Sequence, residues 1–145
     1  MKKGTDYIGV SVVFFCYDGN ENFVLGKRSN QARDEQGTWD IGGGGLEHGD
    51  TVEKRLKREI KEEYRTNVLD YEFLGYRDVH RQLNGKSTHW ITLDFKVLIN
   101  PKLVKNGEPN KFEEVRMFKL GKLPSPLHSQ LPNFLKKYKD KLYNG

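Results

Sequence analysis

Three glutamates follow a run of four glycines in this sequence, and carboxylates arranged in this way could hold a divalent cation. The glycines are Gly42–Gly45 and the glutamates are Glu59, Glu62 and Glu63. At 100° per residue, an α-helix would place the three carboxylates within an arc of about 100°. Carboxylate oxygens with little nitrogen or sulfur nearby suit Mg²⁺ or Mn²⁺ better than zinc. The pattern therefore favours metal-assisted chemistry on a phosphate-containing substrate.

The glutamates share one side of the predicted helix with its apolar residues. Apolar side chains recur every four positions from Val52 to Ile60, which predicts an amphipathic helix over residues 51–64. On the helical wheel, Glu59 and Glu63 lie beside that apolar stripe and should face inward. An inward carboxylate costs several kcal/mol unless a cation compensates its charge. A solvated acidic face would lie opposite the stripe instead.

The segment before the helix contains a residue that can cap the helix and a glycine-rich backbone. Asp50 is predicted to be the N-cap, with Glu53 completing a capping box. Glycine backbone can approach a ligand closely, and a bare carbonyl there can ligate a metal. Each part has a simpler reading, because a glycine run alone is often only a loop and a glutamate-rich helix is often only a solvated surface. The glycine run also lacks the lysine of a Walker A phosphate loop.

Taken together, the segment resembles the Nudix box of Nudix hydrolases. That box reads Gly, five residues, Glu, seven residues, then Arg-Glu-aliphatic-any-Glu-Glu-any-Gly-aliphatic. Gly44, Asp50 and residues 58–63 reproduce this spacing without a gap. Asp50 replaces the box glutamate, Arg65 stands at the box glycine and Thr66 at the last aliphatic position. Outside the box, residues 89–99 and the Glu108-Pro109 stretch look most like the MutT-type branch.

The resemblance implies a role for each matching residue. Glu59, Glu62 and Glu63 would ligate Mg²⁺ or Mn²⁺, helped by the backbone carbonyl of Gly44, and the bound metal would activate a water. Arg58 would orient Glu59 through an ion pair. The predicted catalytic set is Arg58, Glu59, Glu62 and Glu63, and the predicted substrate-binding set is Arg28, Gly43 and Gly44. The general base is left open among Glu62, Glu63, Glu108, Glu113 and Glu114.

The activity implied by the resemblance is pyrophosphate hydrolysis. The preferred substrate is a nucleoside triphosphate, including an oxidised or non-standard one, cut to a monophosphate and pyrophosphate. One alternative is an ADP-ribose or nucleotide-sugar pyrophosphatase. Another is a non-catalytic module that binds nucleotide or RNA, suggested by Arg65 and the net charge of +5. A structural domain with an exposed acidic helix is the third. The expected partner is a small nucleotide, with no membrane and no nucleic acid, and a homodimer stays open.

The elements that must position these residues can be predicted from the spacing of apolar residues. Strands are expected at residues 7–17, 23–28, 71–80, 88–99 and 115–120, with a brief extended segment at 39–41. Residues 29–38 and 100–110 read as loops. A closing amphipathic helix is expected between Leu127 and Leu142. This order predicts an α/β (α+β) fold of the Nudix type, a three-layered α/β/α sandwich with a mixed sheet between helices.

Length and composition indicate which class of protein this chain belongs to. Its 145 residues suit one domain, predicted over residues 1–145. Lys and Arg number 25 against 20 Asp and Glu, a small surplus that fits phosphates without requiring a polyanion. With 35% hydrophobic residues, disordered, collagenous and membrane-spanning classes are excluded. Cys16 is the sole cysteine and lies in an apolar run, so we expect a buried thiol and a cytoplasmic protein.

Overall fold

A mixed sheet of seven strands forms the centre of the fold in the computed structural model, which describes residues 1–143. The strands are β1 (Gly9–Tyr17), β2 (Asn22–Arg28), β3 (Trp39–Asp40), β4 (Gly42–Gly45), β5 (Val68–Leu83), β6 (Lys86–Ile99) and β7 (Phe112–Lys119). The helices are α1 (Val52–Tyr64), α2 (Leu131–Lys137) and α3 (Lys139–Tyr143). A single 3₁₀ turn over Pro101–Leu103 lies within the loop predicted at residues 100–110.

The strands run in the order β3-β2-β1-β6-β5, with β4 also paired to β1 and β7 also paired to β2. β1 and β6 are parallel, whereas the other pairs are antiparallel. A parallel pair needs a long crossover connection. Here the chain between β1 and β6 includes α1, and this connection brings the helix onto one face of the sheet.

Side chains of β1 alternate between two cores, one on each face of the sheet. Val12, Phe14 and Cys16 pack with Leu56 and Ile60 of α1. On the other face, the core includes residues of α2 and α3. The predicted three-layered sandwich with a mixed sheet is therefore confirmed, and Cys16 is fully buried, as expected. Burial raises the pKa of its thiol well above the ordinary value.

The closing helix differs from the prediction, because it is divided into α2 and α3 at Tyr138. Tyr138 leaves helical geometry (φ −106°, ψ 17°), and its hydroxyl donates a 2.6 Å hydrogen bond to buried Asp94. Arg77 binds the same carboxylate at 2.7 Å. The helix also begins only at Leu131, followed by Pro132, which fits the first turn of a helix. β5 is longer than predicted, since it pairs with β6 from Val68 to Leu83.

Candidate active site

The glycine run is a strand rather than a loop, and its glycines make room for the carboxylates of α1. A β-carbon on Gly42 would lie 2.3 Å from the ring of Phe14 and 2.7 Å from Oε1 of Glu63. A β-carbon on Gly44 would lie 2.4 Å from the carboxylate carbon of Glu59. All three distances are shorter than the contacts that real β-carbons make, so β4 can approach α1 only without side chains at these positions.

Helix α1 begins one residue later than predicted. The N-cap is Thr51, whose hydroxyl accepts a 3.2 Å hydrogen bond from the N–H of Lys54. The prediction that Asp50 is the N-cap was therefore wrong. The carboxylate of Asp50 instead accepts a hydrogen bond from the N–H of Glu47 at 2.9 Å and binds Arg55. The backbone hydrogen bond, followed by Arg55, lowers the pKa of Asp50.

The ion pair of Glu59 is made by Arg55, not by Arg58. Nη1 of Arg55 lies 2.9 Å from Oε1 of Glu59, and the same guanidinium binds Asp50. Arg55 precedes Glu59 by one helical turn, which places the two side chains on one face, whereas adjacent residues point about 100° apart. Arg58 is exposed and lies 4.0 Å from Asp50. The predicted Arg58–Glu59 pair was therefore wrong, although both arginines help to surround Asp50.

Three carboxylates meet beside β4 and form what we name the carboxylate cluster: Glu59, Glu63 and Glu108. One oxygen from each lies within 4.8 Å of the others. Glu63 is fully buried, with Oε2 at 3.2 Å from Nζ of Lys111. Its Oε1 has no hydrogen-bond partner among residues 1–143. Glu62 is exposed on the neighbouring turn and lies outside this cluster.

Glu108 reaches the cluster because its loop is bound to the end of α1. The N–H of Lys105 donates to the carbonyl of Tyr64, and the N–H of Gly107 donates to the carbonyl of Glu63, both at 2.9 Å. Helix α1 ends at Arg65 in a left-handed conformation (φ 59°), so Arg65 adopts the conformation that usually favours glycine. The departure from the box glycine therefore leaves the exit turn intact.

Burial makes Glu63 a weak acid. It raises the pKa of this carboxyl from 4.5 to about 8, against the lowering effect of Lys111 and with the added repulsion of Glu108 and Glu59. An all-oxygen donor set of this charge, with one buried oxygen unpartnered, fits a hard divalent cation such as Mg²⁺. The residues present therefore fit the metal that the resemblance implies.

A cleft of about 430 Å³ adjoins the carboxylate cluster across β4. Gly42–Gly45 line this cleft, and so do Arg28 and Lys111. The three residues predicted to bind substrate, Arg28, Gly43 and Gly44, thus all line this cleft. Arg28 already binds Asp34, with 2.6 Å between Nη2 and Oδ1. Glu113 and Glu114, the other candidates for the general base, lie on β7 in ion pairs with Lys27 and Arg116.

A second charged group, which we name the arginine network, comprises Arg28, Asp34, Glu35, Arg81 and His128. Arg81 lies 2.9 Å from Oδ2 of Asp34 in an ion pair that lacks hydrogen-bond alignment, and it also binds Glu35. Nε2 of His128 lies 3.0 Å from Glu35. Burial would raise the pKa values of Asp34 and Glu35, but their partners lower both below the ordinary range.

The arginine network was not predicted from the sequence, because residues 29–38 were interpreted only as a polar loop. Glu35 has a left-handed backbone (φ 47°) and accepts hydrogen bonds from the N–H and hydroxyl of Ser129, each at 2.8 Å. These contacts join the loop to a segment more than ninety positions away. A dense set of charges in a loop without periodicity was the one available signal.

A family model described as the NUDIX domain matches residues 8–138. Among solved structures, a MutT NUDIX hydrolase from Burkholderia pseudomallei is 24% identical, with 91% of this chain and 98% of that chain covered and a TM-score of 0.79. The NUDIX domain of Shewanella oneidensis NrtR, complexed with ADP ribose, is 18% identical over 98% of this chain and 90% of that one, with a TM-score of 0.73.

A third structure comes from work on MutT of Aliivibrio salmonicida and Vibrio cholerae. It is 15% identical over 92% of this chain and 98% of that chain, with a TM-score of 0.63. At these identities the likenesses concern the fold. No curated protein matches this sequence. Within residues 1–143, no helix has the length and apolar character needed to cross a membrane.

Proposed function

The chain belongs to the NUDIX domain family, hydrolases that act on pyrophosphate bonds, and we propose that it cleaves nucleoside triphosphates to a monophosphate and pyrophosphate. The observation that carries the proposal is the carboxylate cluster beside β4. A fully buried glutamate with an unpartnered oxygen is costly unless a cation joins it. A glycine strand that admits no side chain at Gly42 and Gly44 brings this cluster to the wall of a cleft.

Glu59 and Glu63 are the residues we propose to hold Mg²⁺ or Mn²⁺, together with Glu62 and the carbonyl of Gly44. When bound, the metal would neutralise phosphate charge and lower the pKa of a water. Arg55 and Asp50 hold the carboxylate of Glu59 in place through ion pairs. Glu62 is already solvent-exposed, so it can turn toward a ligand without losing a packed position.

The cleft supplies the positive charge that a polyphosphate needs. Lys111 lines the cleft and contacts Glu63, so it can bind a phosphate oxygen once a metal neutralises the glutamate. Gly43 and Gly44 let the substrate approach the backbone closely. Arg28 is fixed by Asp34 on one side and faces the cleft. Arg58 is proposed to support Asp50 rather than Glu59.

The general base is proposed to be Glu108 or Glu62. Glu108 lies within the cluster and is held by a loop bound to α1, whereas Glu62 is free to move. Glu108→Gln and Glu62→Gln should separate the two roles. Loss of the base lowers kcat and removes the acidic limb of the pH–rate profile with little change in metal affinity. Loss of a metal ligand weakens metal affinity.

ADP-ribose is the second candidate substrate, because the NUDIX domain of NrtR, whose structure is similar to this chain over 98% of its length, was solved with ADP ribose. The test is a panel of nucleoside triphosphates, ADP-ribose and nucleotide sugars with Mg²⁺ and with Mn²⁺. Pyrophosphate release from a triphosphate supports the proposal. Faster cleavage of ADP-ribose supports the second candidate. Tight binding without product from any compound favours a binding module instead.

The intact exit turn of α1 argues against the binding-module alternative. That alternative depended on Arg65 and on the net charge of +5, and Arg65 here preserves the left-handed turn. The three glutamates of the Arg-Glu-any-any-Glu-Glu segment, Glu59, Glu62 and Glu63, are all present, and a binding module would not need them. A cytoplasmic location and a homodimer stay predictions from the sequence.

A further inference from the structure

A second group of possible metal ligands lies on the hairpin formed by β5 and β6. His80 of β5 and His89 of β6 are direct partners in the antiparallel ladder. Asp78 lies two residues before His80, so it is on the same face of β5. Val79, which lies between them, and Arg81, which follows His80, line the cleft on the opposite face. The three side chains are therefore separate from the carboxylate cluster.

The geometry of the three side chains is already close to that of a metal site. The rings of His80 and His89 are stacked, with 4.1 Å between centroids and an interplanar angle of 26°. Nε2 of His89 lies 3.2 Å from Oδ1 of Asp78. One ligand atom from each residue lies within 4.8 Å of the others. Tetrahedral ligands at zinc bond lengths of about 2.0–2.1 Å are about 3.4 Å apart, so modest side-chain rotations suffice.

The donor set differs from that of the carboxylate cluster. Two imidazole nitrogens and one carboxylate oxygen suit Zn²⁺, Ni²⁺ or Cu²⁺, whereas Mg²⁺ prefers oxygen ligands. We propose that Asp78, His80 and His89 form a binding site for a divalent transition metal, with Zn²⁺ as its ligand. The site has three protein ligands, and water completes the coordination. This inference is independent of the proposed hydrolysis, because none of the three residues lines the cleft.

The backbone that carries the site is well suited to hold it. β5 and β6 are paired from Val68 to Leu83, so the two histidines keep their positions without a metal. Preorganised ligands lose little conformational freedom when they bind. Since β5 and β6 also carry Arg81 and Trp90 on the cleft side, a bound metal would fix the rear of the cleft wall.

The test is Zn²⁺ binding to the full-length, tag-free chain in excess Mg²⁺, which occupies oxygen-ligand sites. Competition with a chromophoric chelator gives affinity and stoichiometry, and imidazole NMR signals identify the ligands among the four histidines. We expect one Zn²⁺ that shifts the signals of His80 and His89. His80→Ala and His89→Ala should each weaken binding at least about tenfold, as loss of even supporting groups typically does. Asp78→Asn should weaken it less.

His48→Ala is the matched control, because His48 is exposed and lies in the turn between β4 and α1, away from the hairpin. It should bind Zn²⁺ like the wild type. The variants change exposed or half-exposed side chains, and circular dichroism and the melting temperature verify their fold. The proposal is overturned if the double variant H80A/H89A keeps wild-type affinity. It is also overturned if the wild type binds no Zn²⁺, or if Zn²⁺ shifts only the signals of His48 or His128.

Discussion

The carboxylate cluster and the arginine network both adjoin the same cleft, yet their charges are balanced in opposite ways. Asp34 and Glu35 each contact arginine, and their partners lower both pKa values despite burial. Glu63 has one lysine at 3.2 Å and two neighbouring glutamates, and burial raises its pKa to about 8. Arg28, Arg81 and His128 surround the two carboxylates of the network, although Oδ2 of Asp34 lacks an aligned hydrogen bond. Glu63 has a single lysine beside it.

This difference separates a structural role from a functional one. Ion pairs that satisfy each other hold the loop at residues 29–38 against β5 and the segment before α2. An unsatisfied buried carboxyl weakens the fold and is retained where a ligand compensates it. Burial alone would not have distinguished the two groups, because both lie largely out of solvent. The charges around each carboxylate make the distinction, because each group has one buried oxygen without a hydrogen bond.

The largest effect should come from Glu63→Gln. The substitution keeps the shape but removes the buried negative charge from the carboxylate cluster, so we expect turnover to fall at least about a thousandfold, or about 4 kcal/mol. The measurement is kcat/KM with the best nucleotide of the panel. Glu53→Gln is the control, since Glu53 is an exposed glutamate of α1 whose partners, Lys57 and Tyr71, lie outside the cluster, and it should keep wild-type activity. Activity of Glu63→Gln within tenfold of wild type would contradict the comparison.

Divalent cations should stabilise the protein through the carboxylate cluster. At a free Mg²⁺ concentration one hundred times Kd, mass action adds about 2.7 kcal/mol to the free energy of unfolding. We expect the melting temperature to rise with Mg²⁺ in the wild type and to stay constant in Glu63→Gln. Glu35→Gln should retain the rise, because Asp34 and Glu35 are already paired with arginines. An equal rise in all three proteins would show that Mg²⁺ binds elsewhere.

Removing a partner from the arginine network should lower the free energy of unfolding rather than the catalytic activity. Glu35→Ala leaves Arg81 and His128 without their shared carboxylate, and breaking such a pair costs about 3–5 kcal/mol when fully buried. The side chain of Glu35 is 21% exposed, so we expect about 2 kcal/mol. Urea unfolding measures this loss. A variant as stable as the wild type would contradict the structural role of the network.

The two groups should also give opposite pH dependences of stability in the absence of metal. The folded pKa values of Asp34 and Glu35 are lowered, so their contribution is present above the ordinary carboxylate range and is lost as the pH falls below it. The folded pKa of Glu63 is raised, so stability falls as the pH rises from about 4.5 to about 8. Melting temperatures across this range, in wild type and Glu63→Gln, should differ most at the alkaline end.

Much of the fold followed from the sequence because it depends on local patterns. The alternation of apolar and polar residues predicted β6. Apolar residues four positions apart predicted α1 and the inward position of Glu59 and Glu63. The pairing of Arg55 with Glu59 was not predicted. The Nudix box pattern contains Arg58, which is adjacent to Glu59, but not Arg55, which lies one helical turn earlier. Helical spacing alone would have favoured Arg55.

What the sequence could not show depends on contacts between distant segments. Glu108 was one of several candidate bases, and only its loop's hydrogen bonds to the end of α1 bring it to Glu63. The break at Tyr138 likewise depends on Asp94, which lies in β6. Periodicity tells which side of an element faces inward, but it does not tell which distant residue is met there.

The smallest effect tests whether the end of α1 matters to the carboxylate cluster at all. Arg65 has a left-handed backbone, which costs a non-glycine residue about 1 kcal/mol. Arg65→Gly should therefore raise the free energy of unfolding by about 0.5 kcal/mol, since the added chain entropy of glycine offsets part of the gain. The backbone of this turn holds the loop that carries Glu108 and does not change, so kcat and Mg²⁺ affinity should stay at wild-type values. Unfolding in urea and the nucleotide assay measure the two effects separately. A large change in activity would mean that the arginine side chain, rather than the turn, supports the cluster.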